Sequence, residues 1–217
     1  RNLPGKFIKS MKQVSEDLVR YVETEILPRY DAFDPAHRRD HILKVIDNSM
    51  ALAVHFDVNP DMVYAIAAYH DLGVAKGRER HHIESGIIVE NDPALKRWFS
   101  PGQIQVMKEA VEDHRASNTW EPRSIYGKIV AEADRDIVPE QVIRRTVQYG
   151  KANYPEMDKE RQWERFLKHI EGKYGPEGYL HLWLPQSPNA ARLDELRGII
   201  ADKKMLREKF ELYYRQS

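Results

Sequence analysis

Apolar residues recur at intervals of three and four through most of this chain. Ile42, Val45, Ile46, Ser49, Met50 and Ala53 make one stripe, and Ile104, Met107, Val111 and His114 make another. Strand-like alternation is nowhere sustained. Polar residues followed by proline, at Asn59-Pro60, Asp92-Pro93, Ser100-Pro101 and Ser187-Pro188, mark helix starts. The polar side chain caps exposed N–H groups, and proline has none to lose in the first turn. Together these patterns predict helices near 6–27, 40–56, 60–72, 80–91, 101–115, 124–137, 139–151, 158–172 and 188–214, an all-α fold. No fixed-period repeat or linker-like tract interrupts them, so 1–217 is expected to form a single domain. The stretch 172–189 holds Gly175-Pro176, Tyr179, His181 and Trp183, and is expected to be a packed bridge between helices or else a lid.

Composition narrows the function classes. At 217 residues and 41% hydrophobic the chain can bury a core without staples. Thirty-four basic residues balance thirty-four acidic ones, so no long-range positive field is available to hold a nucleic acid or an anionic membrane. The nearly apolar run Met62 to Tyr69 is far short of the roughly 20 residues that cross a bilayer. With no leader pattern at its start, the protein is expected in the cytoplasm, as a monomer or homodimer. It has no cysteine, which leaves His, Asp and Glu as the strong metal ligands. Nine histidines therefore need explaining.

The segment Tyr64 to Leu72 is apolar nearly all round, hence buried, yet ends in His70-Asp71, with Gly73 as a plausible helix C-cap. An unpartnered buried carboxylate costs roughly several kcal/mol, so Asp71 needs a cation, a metal or several donors. Asp134 lies among Val130, Ala133 and Ile137, a second carboxylate on an inward stripe. His114 closes the stripe of Ile104, Met107 and Val111. His41 opens the helix carrying Ile42 and Val45, and His82 begins the one carrying Ile83 and Ile87. Such an oxygen and nitrogen set suits a divalent Mn, Fe, Zn, Ni or Mg, as one ion or two. Just beyond His70-Asp71, the loop Lys76-Gly77-Arg78-Glu79-Arg80 offers three cations, either to phosphate oxygens or merely to solvent.

His41 in His41-Ile42-Leu43-Lys44-Val45, then His70-Asp71, then Asp134 in Ala133-Asp134-Arg135 resemble the HD-domain metal-dependent phosphohydrolase superfamily over about 30–140. His82-Ile83-Glu84-Ser85-Gly86 and Glu112-Asp113-His114 resemble its two intermediate motifs, which completes a six-member His, His-Asp, His, His, Asp set. His37, the Lys76 loop and 129–135 look most like bacterial members that act on nucleoside triphosphates. The resemblance implies an HD-type helical bundle with a helical extension from about 150. It implies a metal held by His41, His70, Asp71 and Asp134, with His82 and His114 holding a second metal or a phosphate. His81 competes with His82, which stands in better register with Gly86. Asp71 and Lys76 would be catalytic, phosphate would meet Lys76, Arg78, Lys44 or Arg115, and His37 would line the pocket or serve a turn. The implied reaction is hydrolysis of a phosphate ester or anhydride of a small nucleotide-like substrate by metal-activated water. A di-iron HD-type oxygenase and a non-catalytic metal- and nucleotide-binding module are the alternatives.

Overall fold

The computed structural model describes residues 14–33 and 39–217, which fall into two compact units, 1–134 and 135–217. Helices dominate both, and no strand occurs among the described residues. In the first unit α1 spans Glu16–Tyr21, α2 Arg39–Ala53, α3 Pro60–Tyr69, α4 His81–Asn91, α5 Pro101–Asp113 and α6 Ile125–Asp134. The second unit holds α7 at Pro139–Asn153, α8 at Lys159–Tyr174, α9 at Asn189–Ala201 and α10 at Lys203–Gln216. No helix among the described residues is long and apolar enough to cross a membrane.

The proline-marked starts work through their caps. Asn59 accepts from the N–H groups of Asp61 and Met62, and Ser100 forms a reciprocal capping box with Gln103. Each such cap stabilises its helix by about 1 kcal/mol. Asp92-Pro93 opens only a 3₁₀ turn, Pro93–Arg97. Two expected helices are broken. The one expected over 6–27 is, in its described part, α1 followed by a π-helical turn at Val22–Ile26 and a 3₁₀ turn at Leu27–Ala32. Pro28 supplies no N–H and its ring crowds the carbonyl four residues back, so regular α geometry cannot run through it. The one expected over 188–214 divides at Asp202, whose side chain leaves the helix line to cap Met205 N–H.

In the first unit α2 packs on both α3 and α6, while α5 packs on α3, α4 and α6. α3 is buried on every side from Met62 to Tyr69, so its C-terminal residues are delivered into the core. Tyr30, itself fully buried, donates from its hydroxyl to the Ala68 carbonyl at 2.8 Å. In the second unit α7 packs on α8, α9 and α10. The 172–189 stretch is a packed bridge: Leu180 and Leu184 are buried, and Tyr179 and Leu180 donate N–H bonds to the carbonyls of Gly172 and Lys173.

Candidate metal centre

Five of the six motif members, joined by His81, converge within the first unit. His41 comes from the first turn of α2, His70 caps the C-terminal end of α3 with Asp71 next to it, and Asp134 ends α6. Ligand atoms of these four residues all lie within 4.8 Å of one another. His41 Nε2 is 3.1 Å from Asp134 Oδ1 and 3.8 Å from Asp71 Oδ2. His70 Nε2 is 3.3 Å from the same Asp71 oxygen and 3.6 Å from Asp134 Oδ1. A second group shares Asp71 through its other oxygen: Oδ1 is 3.4 Å from His81 Nε2 and 3.5 Å from His114 Nε2. One carboxylate thus faces two ligand sets.

The ring tautomers follow from the backbone. His70 Nδ1 lies 2.7 Å from the Ala67 carbonyl, His81 Nδ1 2.7 Å from that of Arg78, and His114 Nδ1 2.6 Å from that of Val111. A carbonyl only accepts, so each Nδ1 carries the proton and each Nε2 turns toward the carboxylates. That orientation is how outer hydrogen bonds prepare imidazoles for metal.

Two features show that the set fits a divalent cation. His70 Nε2 is completely buried and makes no aligned hydrogen bond, despite its two carboxylate neighbours. The Nε2 atoms of His81 and His114 face each other at 3.2 Å, although the proton of each ring is held at Nδ1. Ligands about 2.1 Å from one ion stand about 3.0–3.4 Å apart, which matches these spacings. A proton bridging the two rings is disfavoured, because burial and the neighbouring His114 lower the His81 pKa.

Charge reinforces the arrangement. Burial alone would raise the Asp71 carboxyl, but the facing imidazoles of His70 and His114 hold it well below the usual carboxylate range. Asp134 is likewise lowered, since its contacts with His41 and His70 outweigh burial. For His70, burial is outweighed by Asp71 and Asp134, and the pKa rises well above the ordinary imidazole value. Without metal, His70 is a cation between two anions, a position that a metal ion takes over by releasing the proton. His70, Asp71 and His114 are buried, whereas a quarter of each side chain of His41 and Asp134 meets solvent. The centre is open on that edge.

The remaining expected site residues divide. The structure brings His81, rather than the His82 that the sequence register favours, against Asp71 and His114; at the start of a helix one step turns a side chain by about 100°. His82 is buried, and its pKa falls to about 4, chiefly through burial and with the neighbouring His114, His81, Arg115 and Arg80 adding to it. Lys76 Nζ pairs with Glu84 at 3.0 Å, and Arg115 donates to the Glu79 carbonyl at 2.6 Å. Arg78 and Lys44 are exposed, and His37 lies outside the described residues. Gly73 is not a left-handed cap: among the described glycines only Gly77 has positive φ, 110°. Asp113, next to His114, is buried and receives Trp120 Nε1–H at 2.9 Å together with the Arg123 backbone N–H and guanidinium.

No curated protein and no solved structure matches the chain. Residues 38–137 match the family model of the HD domain, the span that holds all the ligand candidates above. With the helical bundle and the ordered His, His-Asp, His, His, Asp set converging in one place, this chain carries an HD domain.

Proposed function

We propose that the protein is a metal-dependent phosphohydrolase acting on a phosphate ester or anhydride of a small, nucleotide-like molecule. One observation carries the reading: Asp71 presents Oδ2 to His41 and His70 and Oδ1 to His81 and His114, so a single carboxylate joins two ligand sets at a solvent-facing edge. His41, His70, Asp71 and Asp134 would hold one divalent cation, and Asp71, His81 and His114 a second. When bound, such ions supply Lewis acidity, polarising a phosphoryl oxygen and making water acidic enough to attack near neutral pH.

The chain's own residues do the rest. Asp71 and Asp134, kept ionised by their imidazole neighbours, hold negative charge at the reacting centre and orient the attacking water through their oxygens. Arg115, whose charge is felt at His81 and His82, and the exposed Arg78 neutralise the phosphate as it arrives. Lys76 joins them by exchanging Glu84 for a phosphate oxygen. Zero net charge favours a small substrate over a polymer.

The same shared carboxylate suits a pair of irons in an HD-type oxygenase, which is the second reading. One experiment separates them. Protein purified without chelators is analysed for metals, then assayed anaerobically with that metal against a panel of nucleotides and phosphoesters. Phosphate or pyrophosphate release supports hydrolysis; no release, together with iron-dependent oxygen uptake on an organic substrate, overturns it.

A further inference from the structure

The two ligand sets that share Asp71 are built differently. His41, His70 and Asp134 stand on α2, α3 and α6, and α2 packs directly on the other two. Asn48 strengthens that frame by donating to the Ala133 carbonyl at 3.2 Å, one residue before Asp134. His81 is framed differently, on α4, which packs on α5 and on the turn that precedes it. It opens α4 after the 3₁₀ turn Leu72–Lys76 and an exposed loop through Gly77 to Arg80. Its distance from Asp71 depends on how closely that turn sits against the start of α4.

One buried hydrogen bond ties the turn to α4. The Gly73 N–H donates to Ser85 Oγ at 2.8 Å, with both residues buried. A Cβ on Gly73 would lie 2.2 Å from the His81 carbonyl oxygen, 2.5 Å from the Ser85 nitrogen and 2.8 Å from the Glu84 Cβ. Two of these three atoms are backbone, so no side-chain rotation makes room. The missing side chain lets the turn touch α4 at the residue that must reach Asp71, and Ser85 holds the touching surfaces in register.

We propose that Gly73 and Ser85 are positioning residues for the second metal position alone, and that the centre therefore fills in order. The set of His41, His70, Asp71 and Asp134 fills first, and that of Asp71, His81 and His114 second. The inference rests on the cluster being a metal centre. The first set offers four ligand residues with two carboxylates; the second offers three, and its one carboxylate is already bound to the first ion. Opposite charge decides the order, because each carboxylate strengthens attraction for a dication and the first ion repels the next. Alanine at 73 would push the His81 backbone by most of an ångström, against a ligand-distance tolerance of about 0.2 Å.

The test uses the whole chain, stripped of metal and titrated with cobalt(II), with bound equivalents counted by elemental analysis after gel filtration and affinities measured by calorimetry. The wild type takes up two equivalents in two steps. Gly73→Ala and His81→Ala take up one, at the affinity of the wild-type first step. Ser85→Ala keeps that first step and weakens the second by about 10–100-fold. Circular dichroism checks folding, and if Gly73→Ala does not fold, Ser85→Ala decides. The proposal is overturned if folded Gly73→Ala or Ser85→Ala binds both equivalents as the wild type does, or loses both together, or if the wild type fills in one step or stops at one equivalent. Wild type that binds no cobalt would remove the metal reading itself, a result distinct from any of these.

Discussion

The two compact units bury polar groups for different ends. In the first unit, Asp71, His70, His114 and Asp113 lie inside a core of Ile42, Met50, Ile66 and Met107, and three of the four belong to one cluster of facing ligand atoms. In the second, the buried Thr146 and Gln162 hydrogen-bond main-chain carbonyls: Thr146 Oγ1 donates to Val142, and Gln162 Nε2 to Gly150 and Tyr154. Arg165 adds a bond to the Thr146 carbonyl. The second pattern ties side chains to the main chain of α7 and of the turn that follows it. The first pattern leaves the fully buried Nε2 of His70 without an aligned partner while it faces the oxygens of two carboxylates. The lesson is that buried polarity alone marks nothing; buried polarity whose free valences converge marks a site.

Substitutions on the two sides should separate accordingly. Asp71→Ala removes the carboxylate common to both ligand sets, so bound metal is lost and turnover falls by at least about a thousandfold, read by elemental analysis and product release. Wild-type metal content in that variant would erase the contrast between the units. Asp113→Ala leaves Arg123 and Trp120 without their buried acceptor and costs about 3 kcal/mol in urea unfolding. Gln162→Ala exposes no ligand; it should cost about 2 kcal/mol for two lost hydrogen bonds and leave metal content unchanged. The smallest effect belongs to His82. Its folded pKa of about 4 lies below the ordinary 6.5, so the unfolded chain takes up the proton first as pH falls. Stability is therefore lost from about pH 6.5 down to about 4, and His82→Phe should shrink the difference between unfolding midpoints at pH 7 and pH 5.

Much of this was legible in the chain because helices obey local rules. The stripes through Ile42 and Ile104 and the caps at Asn59 and Ser100 are short-range signals, and the helices they predict are present within a few residues. His70-Asp71 and Asp134 could be read as inward because burial follows from their apolar neighbours. His81 over His82 was not legible, since the choice depends on where α4 begins, and that start is set by Gly73 meeting the His81 carbonyl from a different segment. The Glu84 partner of Lys76 was not legible either, because an ion pair between a loop side chain and a half-buried helix side chain leaves no periodic trace. The break at Asp202 did carry a signal, a capping residue between two apolar stripes, which periodicity alone runs across.

The three imidazoles anchored through Nδ1 all use a main-chain carbonyl three residues earlier, at Ala67, Arg78 and Val111. No substitution of those side chains can delete a carbonyl oxygen. Mutational drift at the three anchor positions should therefore leave ring orientation intact so long as the local turn survives. Ring orientation at the centre thus rests on main-chain atoms, whereas its facing ligand atoms rest on side chains.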